Sequence, residues 1–344
     1  MGDRIWFVYG LRCSEGFIYT GVTTDVARRL EEHNAGTGGA YTRSRRPWTL
    51  AFQEVHPTRR SALRREAEVK RWSPERKRAL ARERVGRGGG VLLAAMLAFA
   101  GSAQAQVQTE AVEYRHAGAR LEGALAYDDA LEGKRPGVLV VHEWKGLNDY
   151  AKRRARQLAE IGYVAFAADM YGKGILAKDH EEAARLSGVY RRDRRLMRER
   201  ARAGLELLRR HPLTDSRRLA AIGYCFGGMT VLELARGGEN LRGVVSFHGG
   251  LSTPDPEEAK RIKGRVLVLH GADDPHIGPQ EVAAFEEEMR AAGVSYRLVR
   301  YPGAVHSFTV PEAGTDPAQG MAYNAEADAQ SWEEMRRFLA EIFE

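Results

Sequence analysis

The larger, C-terminal part of the chain alternates short apolar runs with amphipathic stretches. The runs are Gly137 to His142, Tyr163 to Ala168, Arg218 to Ile222, Gly243 to Phe247, Arg265 to His270 and Tyr296 to Tyr301. Each is too continuously apolar for a strand with one wet face and reads as a strand covered on both sides. Segments 148–161, 191–209 and 280–292 fall between them with helical periodicity. The alternation predicts an α/β arrangement, a mainly parallel sheet wrapped by helices.

The N-terminal part has a different rhythm. Ile5 to Tyr9 and Gly16 to Gly21 are strand-like, and Cys13-Ser14-Glu15-Gly16 between them supplies a turn, which predicts a hairpin. Thr23 and Thr24 are the expected caps of a helix over 25–33, with Asp25 in its first turn. A third strand is expected over 48–55 and a second helix over 60–72, giving a small α+β unit. Arg29 and His33, four residues apart, then share a helical face, and Glu66 lies within the second helix.

Between these parts stand Arg82, Arg84 and Arg87, Gly88-Gly89-Gly90, the apolar run Val91 to Ala100, and Ala103-Gln104-Ala105. The order is that of a secretory signal, with cleavage expected after Ala105. The run is too short for a bilayer span, so no stable membrane span is expected. The domain division read here is 1–86, a signal-like basic and apolar linker over 87–106, and 107–344. A signal at an internal position suggests two joined coding units, by fusion or through an unrecognised start near Val85. If made or processed separately, the C-terminal part would be exported to a periplasmic space and the N-terminal part would stay in the cytoplasm.

Composition adds two facts. At 344 residues, 43% hydrophobic and 29% charged, the chain has the makeup of a globular protein of about two domains. The net charge of +7 is unevenly placed, because residues 1–87 carry 19 Lys+Arg against 10 Asp+Glu. A polyanion, DNA in the first instance, is therefore a partner to consider for the N-terminal unit alone. Cys13 and Cys225 are the two cysteines; Cys13 reads as a reduced thiol without special chemistry.

Cys225 sits in Gly223-Tyr224-Cys225-Phe226-Gly227-Gly228, directly after an expected strand and before the apolar helical pattern Met229 to Ala235. Glycines two before and two after permit the sharp strand-to-helix turn that presents a nucleophile. A helix N-terminus also favours a thiolate. A base and an orienting acid are then required. His306 follows the last expected strand, with His270 and His276 as alternatives, and Asp273 and Asp274 are the nearby acids. All lie just past strand ends, where sites gather in open α/β sheets.

Two family resemblances follow. Phe7-Val8-Tyr9, Tyr19-Thr20-Gly21, Arg29, His33 and Glu66 resemble the GIY-YIG nucleases of the small stand-alone branch, over residues 4–80. Phe7 and Thr20 depart from that pattern. The resemblance implies metal-dependent phosphodiester cleavage, with Tyr9 and Tyr19 beside the attacking water, Arg29 on the phosphoryl group, His33 assisting the nucleophile and Glu66 holding one Mg2+ or Mn2+. The cysteine elbow, with His142-Glu143-Trp144-Lys145-Gly146, resembles the dienelactone hydrolases over residues 110–344. That resemblance implies an α/β-hydrolase fold, a Cys225–His306–Asp274 triad, no cofactor, a Glu143 that contacts the resting thiol, and an oxyanion hole from the backbone N–H groups of Trp144 and Phe226. The acid is Asp274 in the family's spacing from Gly271. Val310 stands where the family has a substrate-holding arginine, so the small-molecule substrate is an ester or lactone of open identity, or a thioester. A nucleic-acid-binding or repair protein with an inactive hydrolase scaffold is the reading of a different class.

Overall fold

The computed structural model describes residues 6–13, 17–35, 46–56, 59–73, 76, 77, 80 and 107–344. The chain divides into two compact units, within 1–100 and 101–344. The signal-like segment and the boundaries at 86 and 107 lie outside or at the edge of the described residues.

In the first unit, β1 (Trp6–Cys13) pairs antiparallel with β2 (Ile18–Thr23) and with β3 (Trp48–His56), so β1 is central. Two helices, α1 (Val26–Ala35) and α2 (Arg59–Lys70), complete the described elements. Alternation along β1 divides the core: Val8 packs with Phe52, Ala62 and Val69, whereas Tyr9, Leu11 and Cys13 pack with Val26 and Trp48. The expected caps are corrected. Asp25, not Thr23 or Thr24, caps α1, its Oδ1 accepting from the Arg28 N–H at 3.0 Å. Thr23 instead braces the turn, its hydroxyl oxygen accepting from the Asp25 N–H at 3.1 Å.

The second unit begins with an antiparallel hairpin, β4 (Val107–His116) and β5 (Ala119–Asp128). There follow β6 (Arg135–Val141), α3 (Asp149–Glu160), β7 (Val164–Ala168), α4 (His180–Arg192), α5 (Arg194–Arg210) and β8 (Thr214–Tyr224). The chain continues through α6 (Phe226–Arg236), β9 (Gly243–Phe247), β10 (Arg265–Gly271), α7 (Pro279–Ala291), β11 (Tyr296–Tyr301) and α8 (Ala325–Phe343). The eight-stranded sheet runs β11-β10-β9-β8-β6-β7-β5-β4, parallel from β11 to β7 and antiparallel beyond.

The continuous apolar runs follow from this layering. Leu139, Val141, Phe166, Ala221, Val244 and Val268 bury against one face with residues of α4 to α7. Their neighbours Val138, Val140, Ala165, Ile222, Val245 and Leu269 bury against the other face with α3 and α8. Helices α4 and α8 and the opening hairpin go beyond the elements expected from the pattern. Asn148 and Asp193 cap α3 and α5 by accepting from backbone N–H groups, but α6 starts at Cys225 with no side-chain cap. Its first amides therefore keep the unpaired donors that every helix N-terminus exposes. Among the described residues, no helix is long and apolar enough to cross a membrane.

Candidate functional site

The turn from β8 into α6 holds Cys225 at φ +53°, ψ −112°, a conformation most side chains avoid. The turn closes because Gly227 lacks a side chain: a Cβ there would lie 2.1 Å from the Val141 carbonyl oxygen at the end of β6. Cys225 is thereby lifted to the C-terminal edge of the sheet, where the segments after β6, β10 and β11 converge.

Those segments deliver the other groups. His306 Nε2 lies 3.1 Å from Cys225 Sγ, and His306 Nδ1 lies 2.8 Å from Asp274 Oδ2. Burial alone would lower the His306 pKa, but the adjacent Cys225 and the bonded Asp274 outweigh it and push it up to about 10. Asp273, by contrast, is exposed and accepts from the Gly303 N–H at 3.0 Å, a turn contact. His270 is buried at the end of β10, and burial holds its pKa below 6.5. His276 lines the same cavity as His306, and its backbone N–H donates to Asp274 Oδ1 at 2.8 Å.

Glu143 is buried, and burial raises its pKa, partly offset by His306 and Ser307. Its Oε1 accepts from the Ser307 hydroxyl at 3.1 Å, so here the sulfur faces His306 and the carboxylate faces Ser307. The contact of Glu143 with a resting thiol is not the arrangement observed. Ser307, at φ +55°, carries no signal in the sequence as a functional candidate apart from its place beside His306. The segment after β6 is fixed from below: His142 Nδ1 donates to the Glu143 carbonyl at 2.5 Å, its Nε2 accepts from the Met170 N–H at 3.2 Å, and the Tyr171 hydroxyl donates to the Trp144 carbonyl at 2.9 Å. Trp144 thus follows Glu143 at the cavity wall, and Phe226 opens the uncapped α6. A cavity of about 460 Å³ lies over Cys225 and His306. Val310 is buried among core side chains and takes no place in it.

In the first unit, Tyr9 and His33 meet across the sheet and α1, with Tyr9 Oη 3.0 Å from His33 Nε2. Tyr19 stands against both rings, at centroid distances of 6.3 and 5.0 Å. Gly21 sits opposite Tyr9 in the β1–β2 register, and a Cβ there would come within 2.6 Å of the Tyr9 hydroxyl. The glycine of the Tyr-Thr-Gly triplet therefore makes room for the first tyrosine. Burial, then the neighbouring Tyr19, pushes the Tyr9 pKa up to about 12, with Arg29 opposing. Burial and Arg29 lower the His33 pKa, which favours the neutral ring. Arg29 also pairs with Glu32 on its own helix.

Glu66 on α2 is half-buried, 2.8 Å from Lys70 Nζ one turn on, and its charge is felt at Tyr9. Among the described residues no group of three His, Cys, Asp or Glu is set to hold a metal ion. A single carboxylate still fits a Mg2+ that keeps several waters and takes phosphate oxygens. It does not fit a softer ion that demands a full protein cage.

Comparison with known proteins agrees with both halves. Residues 5–79 match the GIY-YIG catalytic domain and residues 121–343 match the dienelactone hydrolase family. A UPF0213 protein of Desulfotalea psychrophila is 51% identical over 76 residues, covering 22% of this chain and 69% of its own. An uncharacterized protein of Caenorhabditis elegans is 35% identical over 149 residues, 43% of this chain and 94% of its own. The structure of a dienelactone hydrolase-like promiscuous phosphotriesterase from metagenomic libraries is 42% identical, with a TM-score of 0.66 over 69% of this chain and 99% of that one. With most of its length matched, and a GIY-YIG domain joined ahead of the match, the chain belongs to the dienelactone hydrolase family.

Proposed function

We propose that residues 107–344 hydrolyse a carboxylic ester or lactone through Cys225, His306 and Asp274, by way of a thioester acyl-enzyme. The observation that carries this reading is the chain of contacts from Asp274 to His306 to Cys225 at a strained strand-to-helix turn. Sulfur attacks the carbonyl carbon, and the backbone N–H groups of Trp144 and Phe226 receive the developing oxyanion, an interaction worth about 3 kcal/mol per donor. His306, which has taken the proton of Cys225 Sγ, gives it to the leaving oxygen. It then takes a proton from the water that cleaves the thioester, and the departing sulfur restores the thiolate–imidazolium pair. Glu143, bonded to Ser307 beside His306, acts on the readiness of the sulfur rather than on the substrate. The test is burst kinetics with p-nitrophenyl acetate, with the acyl-enzyme trapped for mass spectrometry. Cys225→Ala should abolish both burst and turnover; turnover retained at the wild-type rate would defeat the assignment. The 42% identical phosphotriesterase gives phosphotriesters a place as a second substrate class, checked by adding paraoxon to the same assay.

For the first unit we propose metal-dependent cleavage of DNA phosphodiesters. Tyr9 and Tyr19 flank the attacking water, neutral His33 accepts a proton through Tyr9, and Arg29 faces the phosphoryl charge; the Tyr9–His33 contact is what supports this. Glu66 is the group to hold Mg2+ or Mn2+, which when bound offsets phosphate charge. Nicking of plasmid DNA with and without Mg2+ tests it, and equal nicking by Glu66→Ala would refute the metal role. We further propose the division 1–86, 87–106 and 107–344, with the middle segment acting as an export signal when the second unit is made separately. The N-terminal sequence of the native hydrolase product decides that point.

A further inference from the structure

The cavity over Cys225 has two unlike walls. One is a stripe along α4, His180, Ala184, Ser187 and Arg191, at helical spacing. The other is built from the segments after β9 and β10 and includes His276, Ile277 and Glu281. On this second wall the Glu281 carboxylate is already engaged, accepting from the N–H groups of Leu251 and Ser252 at 2.6 and 3.0 Å. The Ile277 side chain has no polar atom. Ser252 also lines this wall, but it is His276 that stands against His306: its backbone is tied to Asp274, while its exposed ring makes no hydrogen bond among the described residues. That ring stands edge-on to His306, centroids 5.3 Å apart and planes at 83°.

The location defines what such a ring can touch. In acylation the Sγ–C bond forms, the C–O bond breaks, and the leaving oxygen takes the proton from His306 Nε2, which places that oxygen about 3 Å from Nε2. Of the remaining substituents on the tetrahedral carbon, the oxyanion points to the backbone donors at Trp144 and Phe226. That leaves the side of the cavity lined by α4 and Met229 to the acyl chain in this reading. The alcohol, attached to the oxygen at His306, is the half that reaches His276. Resting on the hydrolase reading above, we infer that His276 is a leaving-group contact, which donates a hydrogen bond to the alcohol half of the substrate and favours alcohols carrying an acceptor about two or three bonds from the ester oxygen. No proton is transferred from His276. In either neutral tautomer one ring N–H remains a donor.

Two pairs of matched esters test this. In the alcohol pair, 2-methoxyethyl acetate is compared with n-butyl acetate; in the acyl pair, methyl methoxyacetate is compared with methyl butyrate. His276→Phe keeps a ring and removes the donor, and should lower the kcat/KM ratio of the alcohol pair by about five- to tenfold, the effect of one lost hydrogen bond. The ratio of the acyl pair should stay within about twofold by the same argument, and His276→Gln, which restores a donor, should recover most of the alcohol-pair preference. Unchanged ratios in both pairs, or equal shifts in both, would overturn the assignment of His276 while leaving the triad intact. Wild-type rates for these esters in Cys225→Ala would instead bring down the hydrolase reading, and this inference with it.

Discussion

Replacing Asp274 by asparagine tests the site most sharply, because the structure dictates which way the new amide must face. Asp274 Oδ1 accepts from the His276 N–H at 2.8 Å, and Oδ2 is the partner of His306 Nδ1, also at 2.8 Å. In the Asp274→Asn variant the side-chain carbonyl oxygen is needed at the His276 amide, which turns the NH2 toward His306. Two donors cannot share that contact, so the imidazole shifts its proton to Nε2 and can no longer accept the one on the sulfur. The substitution also removes one of the causes that hold the His306 pKa at about 10. Losing the correct tautomer in a nucleophile–histidine–carboxylate arrangement lowers turnover by about 10²- to 10⁴-fold, or about 3 to 5 kcal/mol in the barrier. The sign with pH follows from the raised pKa. The imidazolium is kept well into the alkaline range in the wild type, so kcat/KM for p-nitrophenyl acetate should hold up to a limb at about 10. In Asp274→Asn that limb should move to lower pH as the residual rate falls. A loss of less than about threefold with the limb unmoved would show that Asp274 does not orient His306.

Two further outcomes follow from packing and burial. Gly227→Ala places a methyl 2.1 Å from the Val141 carbonyl, a backbone atom that cannot turn aside, so it should cost about 3 kcal/mol or more, read as a lowered urea midpoint. His248 is fully buried, its Nε2 2.8 Å from Thr309 Oγ1, and burial, then His306 and Arg154, hold its pKa well below 6.5. The unfolded chain binds a proton below pH 6.5 where the folded chain does not. This contribution is thus present above about 6.5 and is lost as pH falls, at up to about 1.4 kcal/mol per pH unit for this one group. Denaturation at about pH 7.5 and about pH 5.5 should therefore show a shallower pH dependence in His248→Gln than in the wild type; identical slopes would contradict the burial argument.

The elements that the chain reveals locally are those governed by short-range periodicity. Strands buried on both faces announce themselves as apolar runs, and all six expected in the second unit are present, β8 beginning earlier than expected at Thr214. The hairpin of β4 and β5 is not legible because β4 is an edge strand carrying Glu110, Glu113 and Arg115, and its pattern is mostly polar. The cap of α1 is ambiguous in the sequence because Thr23, Thr24 and Asp25 are all good caps, and only the backbone path selects among them.

The chain's linear order carries the chemistry available: a cysteine at a glycine-framed turn, histidines and acids after later strands, and tyrosines and a glutamate in a small basic unit. It carries the fold class too, through its two family patterns, since hydrophobic period and turn glycines are local properties. Which of these groups meet is a matter of the folded arrangement. Folding puts Asp274 rather than Asp273 against His306, turns Glu143 to Ser307, buries Val310 in the core, and sets His276 across from the α4 stripe. Separation along the chain accounts for the division: Cys225 and His306 are 81 residues apart, and Glu143 and Ser307 164. Contacts of that span are fixed by how strands stack in a sheet, and no pattern of neighbouring residues encodes them.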